Sequence, residues 1–266
     1  MGKRILLLHP PSPFLFDERA LLPLGAVTVA TVMNQNGFEA AVMDLAGNPD
    51  YIPAALQRIA SEKWDAIGVS TTTQQTPKVT PLVAAIRKEF PGLHLVAGGA
   101  GPTNDAPRYL EIGFDKAVRN EGESAFGAWE LWWERILTAP LLENLDSLPF
   151  ADRDLVDIRS YTFKVRDRDG KPLASTHIMS TRGCPFSCGH CCGREQEYYR
   201  RYRAFSPERI VAELEFIREK WGYTAIQDYA DEVNVDRKWL LHYSSLLEGR
   251  GFVLRSFCVA KLFTEE

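Results

Sequence analysis

Residues 4–8 read Arg-Ile-Leu-Leu-Leu and stop at Pro10 and Pro11, the short apolar run expected of a buried parallel strand. A helical pattern follows over 24–35, with Gly37 placed to end it. The alternation then repeats. It predicts strands over 38–43, 66–70, 94–97 and 116–118, and helices over 52–62, 77–90, 109–112 and 123–137, the last bearing Trp129, Trp132 and Trp133. Strands separated by helices of this length predict repeated βαβ units: an α/β fold with a doubly wound, Rossmann-like parallel sheet. Such sheets bind ligands beyond the carboxyl ends of their strands.

The rhythm breaks over 140–175, where Pro140, Pro149, Pro172 and the charged run 166–171 predict a linker and a β-hairpin. From Thr176 it resumes, with strands over 177–181, 225–229 and 253–259 and helices over 207–221 and 237–250. Ser206 is the expected N-cap and Pro207 the first helical residue. The predicted organisation is a first domain over 1–139, a linker and hairpin over 140–175, and a second domain over 176–266.

At 266 residues the chain has the length of about two domains, and 45% hydrophobic with 25% charged residues is an ordinary globular composition. The stretch after Met1-Gly2-Lys3-Arg4 is too short for a signal peptide, and no run approaches a membrane span; the expectation is a cytoplasmic protein with no membrane partner. The formal charge of −4 does not invite nucleic acid. The basic cluster Arg194, Arg200, Arg201, Arg203 and Arg209, interleaved with Tyr198, Tyr199 and Tyr202, reads more plainly as a solvated helix face than as a polyanion grip.

Of five cysteines, Cys184, Cys188, Cys191 and Cys192 are clustered and Cys258 stands apart. A tight cluster in such a chain points to metal or redox chemistry rather than a disulfide framework. Cys184, Cys188 and Cys191 form C-x3-C-x2-C after a predicted strand, three soft ligands that can face one centre. Structural zinc would need a fourth ligand from His190, Cys192 or Cys258, and it usually uses two separated pairs. A four-iron cluster held by three thiolates keeps one iron open.

This loop resembles that of the radical S-adenosylmethionine (radical SAM) superfamily, in which C-x3-C-x2-C ends the first strand of a βα barrel. The resemblance implies that Cys184, Cys188 and Cys191 ligate a 4Fe-4S cluster. It further implies that the open iron binds S-adenosylmethionine, and that an external one-electron reductant drives its cleavage to a 5′-deoxyadenosyl radical. His190 stands where that family usually has an aromatic residue near the adenine. The segments 203–214 and 227–234 resemble the first barrel helix and the acidic end of the second strand, which places Asp231 and Glu232 near the S-adenosylmethionine amino group; capping of the next helix is their plainer role. Cys192 and Cys258 read as small buried hydrophobes.

In the first domain, Ser70-Thr71-Thr72 and Gly98-Gly99 end two predicted strands and could bracket a crevice for a large flat ligand, although Gly-Gly after a strand is more often a tight turn. With Pro23-Leu24-Gly25 and Asn120-Glu121-Gly122-Glu123 they occur in the order seen in cobalamin-binding domains that precede radical SAM barrels. The resemblance implies cobalamin contacts at Ser70, Thr72, Gly98, Gly99, Glu121 and Gly122. Ala20 and Leu22 stand where other cobalamin proteins carry Asp and His, so the implied cobalamin has neither its own base nor a histidine on cobalt.

The second domain has room for about three βα units, roughly half of the partial barrel that the family builds, so the chain is expected to be a truncated N-terminal part that can lack activity alone. The function implied is a cobalamin-dependent radical SAM enzyme acting on a small-molecule or peptide substrate, with methyl transfer from methylcobalamin to an unactivated carbon as the leading outcome. Rearrangement, cyclisation or oxidation without methyl transfer, a non-catalytic cofactor-binding fragment, and a zinc-binding structural protein are the alternatives.

Overall fold

The computed structural model describes residues 2–125, 134–191, 193 and 196–263. The chain divides into two compact units, 1–142 with 149–160, and 143–148 with 161–266.

The first unit is built from β1 (Arg4–His9), α1 (Leu24–Gln35), β2 (Glu39–Asp44), α2 (Tyr51–Ala60), β3 (Ala66–Ser70), α3 (Thr76–Glu89), β4 (His94–Gly98), α4 (Ala100–Ile112), β5 (Lys116–Arg119), α5 (Gly122–Ala125) and β6 (Ile136–Thr138). Its six strands lie in the order β2-β1-β3-β4-β5-β6, all parallel. The apolar runs become central strands because both faces are covered. Leu6, Leu8, Ile67 and Leu95 pack with α2 and α3 through Ala55, Ile59, Leu82 and Ile86, while Ile5 and Ala66 meet Ala30 and Met33 of α1. Leu6, Ile67 and Leu95 are all 0% exposed, so cutting any one back to alanine would cost about 2–5 kcal/mol. The strand order reverses between β1 and β3, the topological switch point at which doubly wound sheets take their ligands.

The second unit contains β7 (Lys164–Arg166), β8 (Pro172–Ile178), β9 (Thr181–Arg182), α6 (Glu197–Arg200), β10 (Arg203–Ala204), α7 (Pro207–Trp221), β11 (Ala225–Asp228), α8 (Arg237–Leu247) and β12 (Val253–Arg255). Its main sheet runs β12-β11-β8-β7, with β8, β11 and β12 parallel and β7 antiparallel at the edge. The Ser206 hydroxyl caps α7 by accepting the Arg209 N–H at 3.2 Å, and Gly222 ends it at φ +79°. α7 buries Ile210, Leu214 and Ile217 completely.

Four elements differ from the sequence reading. The helix expected over 123–137 does not reach its end: Ile136–Thr138 is a strand beside β5, with alternating exposed and buried residues that follow the strand period of two. Trp129, Trp132 and Trp133 lie outside the described residues. α4 begins at Ala100 rather than 109, because its prolines do not stop it; the backbone instead departs from helical angles at Asp105 (φ −146°, ψ 73°) just before Pro107. The strand expected over 177–181 starts at Pro172, paired with β7 in the expected hairpin, and ends at Ile178, after which the N–H of Ser180 turns to Asp228 at 3.0 Å. The strand expected over 253–259 ends at Arg255. Among the described residues no helix is long and apolar enough to cross a membrane.

Candidate cofactor sites

In the first unit, Ser70 and Gly98 are aligned partners at the carboxyl ends of β3 and β4. Beyond them the two loops lock together: the Thr71 N–H donates to the Gly98 carbonyl, and the Gly101 N–H to the Thr71 carbonyl, both at 2.9 Å. Gly99 has φ +94°, and a Cβ there would sit 2.7 Å from the Thr71 carbonyl oxygen. Only glycine makes that approach without displacing backbone. Gly98 has open space where its Cβ would be, so a ligand can lie against the main chain, as a bulky cobalamin requires.

The other expected contacts are placed less simply. Thr72 is exposed, and its hydroxyl and N–H both donate to Gln75 Oε1, at 3.1 and 2.8 Å. Glu121 is 1% exposed, with its carboxylate accepting the Leu142 N–H at 2.5 Å, and a Cβ on Gly122 would press on Val29 of α1. Gln75 itself bridges the switch point, donating to the Pro10 carbonyl at 2.6 Å and lying 3.5 Å from His9 Nε2. The His9 ring is held through Nδ1 by Asp44 at 2.9 Å, and Arg19 donates to the same carboxylate at 2.7 Å. The sequence reading passed over Gln75, His9 and Asp44; their place at the ends of β1, β2 and β3 is a product of strand order, which no local pattern reveals.

In the second unit the cysteine loop leaves the carboxyl end of β8. Gly183 opens it at φ +84°, where a Cβ would collide with the Arg201 carbonyl. The Gly183 N–H donates to Asp231 Oδ2 at 3.1 Å, the Cys184 N–H to the Tyr199 carbonyl at 2.7 Å, and the Cys191 N–H to the Cys188 carbonyl at 3.1 Å. Cys184 is half-buried and Cys188 and Cys191 are exposed, all three free thiols. Among the described residues no three His, Cys, Asp or Glu side chains are already gathered closely enough to hold a metal ion. The donor set still suits a soft iron centre, with three thiols on one loop pinned at its start. Cys258 is exposed, not buried as expected, and Cys192 lies outside the described residues, as does Arg194.

Asp231 and Glu232 stand at the end of β11, beside this loop. Burial pushes the Cys184 thiol up, the Phe186 N–H opposes that, and the Glu232 and Asp231 carboxylates add to it. His190 is exposed. Below the loop, His177, Gln227 and Arg255 align across β8, β11 and β12; Arg255 donates to Gln227 Oε1 at 2.7 Å, and His177 stacks on Tyr229 with centroids 4.6 Å apart. The remaining arginines of the basic cluster include two ion pairs, Arg201 with Glu143 and Arg209 with Glu213.

Residues 19–130 match the family described as the B12 binding domain. Over 257 residues the chain is 26% identical to an anaerobic magnesium-protoporphyrin IX monomethyl ester cyclase of Synechocystis sp., covering 86% of this chain and 49% of that protein. It is 28% identical over the same length to a hopanoid C-3 methylase of Methylococcus capsulatus, covering 85% and 46%. The fold matches that of the radical S-adenosylmethionine methyltransferase TsrM from Kitasatospora setae, solved with cobalamin and a [4Fe-4S] cluster, at a TM-score of 0.69 and 17% identity, over 94% of this chain and 51% of that one. The matches agree with the resemblance to radical SAM proteins that carry a cobalamin-binding domain.

The B12 binding domain match falls within the first unit, on its doubly wound, Rossmann-like sheet. The chain spans about half the length of the curated relatives it matches.

Proposed function

We propose that this chain carries the cofactor machinery of a cobalamin-dependent radical SAM enzyme that transfers a methyl group to an unactivated carbon of a small-molecule or peptide substrate. The observation that carries the proposal is the joining, in one chain, of a B12 binding domain to a C-x3-C-x2-C loop tied by the Gly183–Asp231 hydrogen bond to the end of β11. Cys184, Cys188 and Cys191 would hold a 4Fe-4S cluster, with His190, Asp231 and Glu232 toward S-adenosylmethionine. Ser70, Thr72, Gly98, Gly99, Glu121 and Gly122 would line or shape the cobalamin site. Bound there, the cluster would supply, once reduced from outside, the electron that opens S-adenosylmethionine to a 5′-deoxyadenosyl radical, and methylcobalamin the methyl group.

The residues themselves do quieter work. Gly183 and Asp231 fix the start of the cysteine loop, and Gly98 and Gly99 keep the crevice floor bare of side chains. Methyl transfer is favoured by the relatives named as a methylase and a methyltransferase. The relative named as a cyclase favours a second reading, radical chemistry without methyl transfer. The test is anaerobic incubation of reconstituted protein with dithionite and S-adenosylmethionine: 5′-deoxyadenosine is expected from the wild type and none from Cys188→Ala. A wild type that forms none although its cluster is intact would count against the proposal.

A further inference from the structure

The loop between β1 and α1 ends in a tip of three consecutive large apolar side chains, Phe14, Leu15 and Phe16, which are 71%, 40% and 109% exposed. The other exposed large apolar side chains among the described residues, Ile136, Leu241, Phe257 and Phe263, are scattered singly. A contiguous exposed apolar run marks an interaction site where singly scattered side chains do not, and fully burying one such ring gains about 1.5–3 kcal/mol.

The tip is a held projection. Pro10 and Pro11 are buried at its start, and Leu22, Pro23 and Leu24 at its end. Between them, Glu18 Oε2 accepts the N–H of Ser12 at 2.9 Å and the N–H of Gly47 at 3.2 Å, tying this loop to the one after β2. Asp17 caps the turn that follows, accepting the Arg19 N–H at 3.0 Å. What these bonds hold out is the apolar run.

The loop springs from the carboxyl end of β1, at the switch point, the same end of the sheet at which Ser70 and Gly98-Gly99 form the bare floor. The ligand of a B12 binding domain is a flat ring with largely apolar faces and a fringe of amides. Its polar fringe suits main-chain groups and hydroxyls, and its face needs an apolar wall. We infer that Phe14 and Phe16 form that wall, packing against the corrin face of bound cobalamin. The B12 domain match begins at residue 19, after the tip. The inference rests on the reading that this unit binds cobalamin.

The test uses the full chain with hydroxocobalamin as probe, comparing wild type, the double variant Phe14→Ser/Phe16→Ser, and Phe14→Leu/Phe16→Leu by ultrafiltration and absorbance. The serine pair should raise the Kd at least tenfold, the leucine pair should restore most of it, and the Tm without cobalamin should be unchanged because both rings are exposed. In the wild type, amide hydrogen exchange over 12–17 should slow on adding cobalamin, a readout that does not depend on how the variants fold. Equal affinities with no slowing would overturn the inference while leaving cobalamin binding intact. A wild type that takes up no cobalamin would overturn both.

Discussion

The carboxylate of Asp231 accepts the backbone N–H of Gly183 at 3.1 Å, joining the end of β11 to the first residue of the cysteine loop across 48 positions of sequence. The bond gives Asp231 a structural task before any ligand arrives. It holds Gly183 in the left-handed conformation from which Cys184 follows.

Replacing Asp231 by alanine should therefore loosen the loop more than it destabilises the fold. Asp231 is exposed, so solvent screening sets the loss in stability at about 1 kcal/mol, below the roughly 1.5–3 kcal/mol of a shielded hydrogen bond to a charged group. Iron and acid-labile sulfide per chain after reconstitution should fall, while Asp231→Asn, which keeps an acceptor oxygen, should load closer to wild type. Full loading of Asp231→Ala would show that the bond does not organise the loop.

Two glycines permit a crossed experiment. Gly99→Ala puts a methyl 2.7 Å from the Thr71 carbonyl at φ +94°, with a strain of roughly 1–3 kcal/mol; it should weaken hydroxocobalamin binding and leave iron content alone. Gly183→Ala meets the Arg201 carbonyl at φ +84° and should do the reverse. If either variant lost both cofactors equally, the two sites would not be separable.

The reading of the first unit from sequence succeeded because its strands are apolar runs bounded by prolines and glycines, so local pattern and final environment agree. It failed at Ile136–Thr138, where three tryptophans at helical spacing extended a helix into a strand whose existence depends on pairing with β5. Cys184, Cys188, Cys191 and Gly98-Gly99 were visible as spacings. Gln75, His9, Asp44 and the Gly183–Asp231 bond were not, because each joins segments that only strand order and loop closure bring together.

Acid should weaken the first unit partly through Asp115. Its burial raises the carboxyl's pKa, but the hydrogen bonds from Arg87 at 2.6 Å and from the Leu95 N–H at 2.8 Å outweigh that and hold it below its ordinary 3.8. A lowered carboxylate stabilises the fold above its unfolded pKa, and that contribution is lost as the pH falls through the lower folded value. Thermal melts should show Asp115→Asn less stable than wild type at pH 7, by about 1 kcal/mol after allowing for solvent screening, with the gap narrowing below pH 3.8. A gap that did not change with pH would remove Asp115 from the acid response.

The most direct test of the central claim is anaerobic reconstitution of the whole chain with iron, sulfide and hydroxocobalamin, followed by metal and sulfide counting and a visible spectrum, on wild type and Cys188→Ala. Two separate cofactor sites predict about four irons and four sulfides per wild-type chain, their loss in Cys188→Ala, and cobalamin retained by both. Zinc without acid-labile sulfide in the wild type, or cobalamin lost together with the cluster in the variant, would contradict it.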